Sequence, residues 1–174
     1  MTTYVSFPDI VASFKTALTE ILTAYFDGQI HKVSNVDVVF PSASIVWDIR
    51  QLKRPIGLTI ALIGNGIHGQ KEYNTLGSGS SGDHGKTLIA EIVRTVVISC
   101  PISPGDSGKS RNDVDSAWGS LYALFCNKGL FSPRKIINPV LSAVPSDITD
   151  RLDIAEASGT FTCSIIVDYL AYNK

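Results

Sequence analysis

Charge is scarce in this chain. Asp, Glu, Lys and Arg make up 18% of its 174 residues, against roughly 25% in an average soluble protein. The formal net charge is −1 at pH 7, so the basic footprint on which nucleic-acid affinity is built is missing, and no sequence-specific nucleic-acid partner is expected. Cysteine is scarce too. Cys100, Cys126 and Cys163 lie in three separate apolar stretches with no CxxC pair and no metal-ligand spacing; they read as small buried hydrophobes of a reducing compartment. Long hydrophobic runs are missing: none approaches the ~20 residues that cross a bilayer, and the opening MTTYVSFPDI lacks the basic-then-apolar order of a secretory signal. No membrane partner is expected. No repeat of solenoid length occurs.

What is present is apolar material, 44% of the residues with a mean hydropathy of +0.17. That is enough for one sizeable core and one domain over 1–174, and a surface so sparing in charge suits protein partners. After Ser6, the residues Val11, Phe14, Leu18, Ile21, Leu22 and Tyr25 recur with the 3.6-residue period of one helix face, and Gly28 is placed to stop that helix. Short β-rich runs follow at Val36–Phe40, Ser44–Ile49 and Ile56–Ile63, punctuated by Pro41 and Pro55. Leu88–Ser99 is apolar at both parities, the pattern of a central strand covered on both faces. Between these strands, Asn65–Lys86 is Gly- and Ser-rich and is expected to form one long loop, at about residues 64–86. A second amphipathic helix is expected from Arg111, capped by Asn112, carrying Val114, Ala117, Trp118, Leu121, Tyr122, Leu124 and Phe125, and stopped by Gly129. Pro139 restricts Arg134–Val144 to an edge strand. PSDITDRLDIAEASG reads as a loop, and Thr160–Tyr169 alternates as a half-buried strand. The fold class is therefore α+β, a single domain with a mostly antiparallel sheet of four to six strands flanked by two amphipathic helices.

The strings that suggest chemistry fail on spacing or context. Gly85, Lys86 and Thr87 end like a phosphate-binding loop, but Ser80 stands where the first glycine is needed, and a β-rich run follows in place of the helix whose N-terminus would face phosphate. His68 and His84, with Glu72 and Asp83, share the long segment, yet no helical or strand spacing holds them in ligand geometry. GSGSSG has no strand-to-helix elbow around a serine. No catalytic residue, metal ligand or cofactor site is assigned, and the chain does not read as an enzyme. The rival reading is a small enzyme or ligand-binding module whose site is His68, Asp83, His84 and Lys86.

The order helix, three strands, loop, long strand, helix, edge strand, final strand resembles the tail terminator proteins of long-tailed, siphovirus-like bacteriophages. The resemblance is carried by the opening helix, the VRTVVIS run, the helix ending NKGLF and the closing TFTCSIIVDYLAY. It implies a homo-oligomeric ring, usually of six subunits, that stops growth of the tail tube and joins it to the head connector. The partners implied are the tail-tube protein and the connector protein, with DNA passing through the lumen, and the location is the virion, assembled in the host cytoplasm. The alternative within this class is a head-completion or neck protein. Interface residues are sought at Trp47, His68, Lys71, Tyr73, Asp83, His84 and Lys86.

Overall fold

The computed structural model of the protein describes residues 7–47, 56–74, 86–102, 105, 107–142, 149–151 and 153–168. Helix α1 spans Phe7–Tyr25, and its stripe Ile10, Phe14, Leu18, Ile21 and Leu22 is buried. The chain then turns back as a hairpin of β1 (Ile30–Val33) and β2 (Val36–Val39). Ser34 and Asn35 both adopt positive φ, 50° and 67°, as a two-residue turn matched to strand twist requires. Gly28, at φ 88°, supplies the left-handed step between α1 and β1.

A six-stranded mixed sheet forms the second layer. It contains β3 (Ser44–Val46), β4 (Thr59–Asn74), β5 (Lys86–Pro101), β6 (Ile136–Leu141), β7 (Thr149–Arg151) and β8 (Ile154–Asp168). The order is β3-β4-β5-β8-β6, with β7 also pairing β8. Only β3 and β4 run parallel. As the sequence predicts, β5 is central, and both parities are buried there: Val96, Ile98 and Cys100 on one, Val97 and Ser99 on the other.

Helix α2 (Ser107–Cys126) packs on the same sheet face as α1, and a short α3 (Lys128–Phe131) leads into β6. The register places Leu62, Val96 and Gly159 in one row and Gly64, Arg94 and Phe161 in the next. Phe161 is the centre of the core. Its ring stacks on Phe125 at 4.5 Å and on Phe14 at 6.2 Å, joining both helices to the sheet.

Three boundaries differ from the sequence reading. The segment expected as one loop at 64–86 is strand over its first part: β4 continues to Asn74 and pairs with β5 down to Asn74↔Lys86. Two register shifts, Gly64/Ile67 and Ile67/Gln70, absorb the glycines that made it look like loop. The segment 145–159 is partly strand as well, with β8 beginning at Ile154 and pairing β5 from Pro101 onward; its core-facing residues there are Ala155, Ala157 and Gly159, small side chains with little β signature. Helix α2 begins at Ser107, ahead of the expected Asn112 cap, because the Ser110 hydroxyl donates to the Pro101 carbonyl at 2.8 Å and ties the first turn to the end of β5.

The edge strand β6 obeys its proline. Asn138 has φ 49° and the register slips between Ile137 and Val140, so Pro139 costs no ladder bond in a regular strand.

Candidate functional site

Length separates the sheet into two parts. Strands β4 and β5 have 16 residues each, about 50 Å at ~3.3 Å per residue. Helices α1 and α2, with 19 and 20 residues, span about 30 Å. The β4–β5–β8 ribbon therefore outruns the helix layer. The outer ribbon carries His68, Lys71 and Tyr73 on β4 and Lys86 at the start of β5, with Lys71 opposite Ile89 and Tyr73 opposite Thr87. Asp83 and His84 lie outside the described residues. Of the seven residues sought as interface, four are thus brought onto one ribbon by backbone pairing.

The boundary between the two parts is marked by Arg94, 4% exposed. Its guanidinium lies over the Phe14 ring at 5.9 Å and alongside Gly64, where a β-carbon would sit 3.6 Å from it. Nη1 donates to the Val93 carbonyl at 2.8 Å. Burial lowers the Arg94 pKa, although guanidinium stays charged in proteins. Cys163, facing the same layer, is pushed up to about 12 by burial and remains a thiol.

Trp47 is not free for a partner over its whole surface. The indole Nε1 donates to Thr19 Oγ1 at 2.8 Å, and the ring meets Phe14 edge-on at 6.0 Å. Lys15 lies over the ring, 5.6 Å from its centroid. This half-buried tryptophan fastens the edge strand β3 to α1. Trp118 is also half-buried against the core.

Sequence reasoning missed two surfaces. Tyr122 belongs to the α2 stripe by spacing, yet it is 50% exposed. With Cys126, Lys128, Pro139, Val140 and Leu141 it lines a groove of about 230 Å3 between the end of α2 and β6, floored by Phe125. The signal was the heptad drift: Tyr122 and Cys126 fall about 100° or more from the centre of the buried stripe. Cys126 is exposed, unlike buried Cys100 and Cys163, which corrects the reading of all three as core residues.

The second surface is the β1–β2 hairpin, where Ile30, Val36 and Val39 are exposed. Ile30 pairs with Val39 across the strands. The β1 sequence IHKV was too short to stand out. At its base, His31 Nε2 lies 2.9 Å from Asp27 Oδ1. The hydrogen bond from His31, joined by the Gln29 amide, lowers the Asp27 pKa.

Among the described residues, no group of three or more His, Cys, Asp or Glu is placed to hold a metal ion, and no helix is long and apolar enough to cross a membrane. No protein-family model matches the chain, and no curated protein matches its sequence.

Proposed function

We propose that this chain is a structural subunit of a bacteriophage tail, a tail terminator or a closely related head-to-tail joining protein that acts as a ring. The observation that carries the reading is the β4–β5–β8 ribbon, which continues past the end of the helix layer. A ribbon of this kind has paired backbone but no helix over it, so its outer part supplies contact area to another protein. Ladder bonds hold its shape before docking, and that lowers the ordering cost of binding. The order of elements, with a central long strand and a closing strand beside it, is the layout on which the resemblance to tail terminators rests. The groove beside β6 and the apolar hairpin add the exposed hydrophobic surface that a ring subunit hides against its neighbours.

In this reading the residues act through contact and none performs chemistry. Lys71, Tyr73 and Lys86 contribute to the tube-facing or neighbour-facing surface through their place on the ribbon.

The test is to mix the purified chain with tail-tube protein from the same phage and to measure mass by light scattering and tube length by electron microscopy. Rings on tube ends and shortened tubes are expected. Tubes that grow uncapped to the same length with and without the chain would sink the terminator reading.

A further inference from the structure

We infer that neighbouring copies of this chain join head to tail, the β1–β2 hairpin of one copy seating its apolar face in the α2–β6 groove of the next. The inference rests on the ring reading above and identifies the surfaces that would close the ring.

Exposed hydrophobics are not scattered here. Six large ones are exposed among the described residues, and five fall in these two places: Ile30, Val36 and Val39 on the hairpin, Tyr122 and Val140 at the groove. Isolated exposed apolar residues are ordinary, whereas sorted patches mark contacts. The shapes are complementary. The hairpin projects, because two strands are too few to bury both of their faces. The groove is concave, and at about 230 Å3 it is smaller than the roughly 300–1,000 Å3 of small-molecule sites; side chains such as Ile30 and Val39 suit it better than a drug-sized ligand does.

The two surfaces also lie on opposite flanks of α2. Ser120 faces the hairpin, its hydroxyl donating to the Val39 carbonyl at 2.7 Å. Tyr122, two residues on, is turned about 200° from it on a 3.6-residue helix and lines the groove. A surface that meets itself gives a twofold pair and stops. Two different surfaces on opposite flanks propagate, and close into a ring when the rotation allows.

Charge points the same way. From Ser116 to Ser146 the chain has no Asp or Glu, while Lys128, Arg134 and Lys135 lie there, all exposed. The hairpin and its base present Asp27 and Asp37, also exposed. Opposite charges at the rim set orientation and reject the groove-to-groove pairing.

Two variants test this, Ile30→Lys on the hairpin and Val140→Lys in the groove. Both sites are more than half exposed, and melting curves matching the wild type verify the fold. The wild-type chain is expected to form large species by light scattering, and each variant alone to lose them and run as a monomer. An equimolar mixture of the two variants should give a mass of two chains and grow no further, since one keeps an intact groove and the other an intact hairpin. Maleimide labelling of Cys126, exposed and on the groove wall, should be lost on wild-type assembly and regained in both variants. Variants that assemble like the wild type, a mixture that stays monomeric, or a wild-type chain that is monomeric at every concentration overturns the contact. The terminator reading stands or falls separately, on whether tubes are capped.

Discussion

Strand β5 passes through two settings. From Ile92 to Cys100 its side chains lie beneath α1 and α2, and the row Arg94–Phe161 is locked by stacked rings. From Lys86 onward to that point it is paired on both sides, by β4 and by β8, but the helices are too short to follow it. The inner part is held by burial and the outer part by ladder bonds. Area removed from water is the larger stabiliser, while a backbone hydrogen bond contributes a net of only about 1 kcal/mol. The same strand thus provides a rigid base and a surface left available for contact.

The largest test of this contrast is Phe161→Ala, at a residue 0% exposed. Removing a ring that joins both helices to the sheet is expected to cost about 3–5 kcal/mol, read as a lower urea midpoint. A loss under about 1 kcal/mol would mean that the core does not centre there.

Native-state hydrogen exchange sharpens the comparison within one strand pair. Amides of Val96 and Ile98 should exchange only through global unfolding, and those of Glu72 and Leu88 with at least about tenfold less protection. Equal protection along β5 would erase the distinction between the two parts.

At the inner edge, Trp47→Phe removes the indole donor to Thr19 and keeps most of the ring packing. The expected cost is about 1 kcal/mol, in chemical denaturation. No change would show that β3 is held to α1 by the ring alone.

The smallest effect is expected far from the ribbon. Asp27 has a lowered folded-state pKa from its His31 and Gln29 hydrogen bonds. Its contribution is therefore present above the ordinary value of 3.8 and is lost as pH falls through the lowered one. Asp27→Asn should destabilise slightly near neutrality, the group being solvent-exposed. The variant and wild-type melting temperatures should converge at the acid end. A gap that widened on acidification would reverse the sign and contradict the pairing.

Much of this fold was legible where periodicity was strong. The α1 stripe, the central position of β5 and the edge character of β6 all follow from side-chain spacing and from Pro139. The class, α+β with a mostly antiparallel sheet, follows from the same evidence. Legibility ended where small residues carry the structure. Ala155, Ala157 and Gly159 lie in β8 because α2 packs closely over them, and nothing in an Ala-Glu-Ala-Ser-Gly string announces a strand. The glycines of 64–74 resembled loop because bulges and loops use the same residue.

The candidate surfaces were less legible than the fold. His68, Lys71, Tyr73 and Lys86 were singled out from composition, and backbone pairing then gave them a shared ribbon. The groove and hairpin were missed because Tyr122 obeys the helix stripe in sequence and leaves it only in three dimensions. Ile30 and Val39 become neighbours only once Ser34 and Asn35 reverse the chain.

The position of β8 governs the order of events during synthesis. It pairs with β5, β6 and β7, all of which precede it in the chain. A nascent polypeptide emerging from the ribosome therefore carries β4, β5 and both helices with no partner for one side of β5 until the last strand arrives. Closure of the sheet awaits release of that strand, and until then the unpaired edge of β5 is a template for other chains. Expression at a temperature that slows unfolded-chain aggregation, or with a holding chaperone, should raise the soluble yield more than any change to the folded surface.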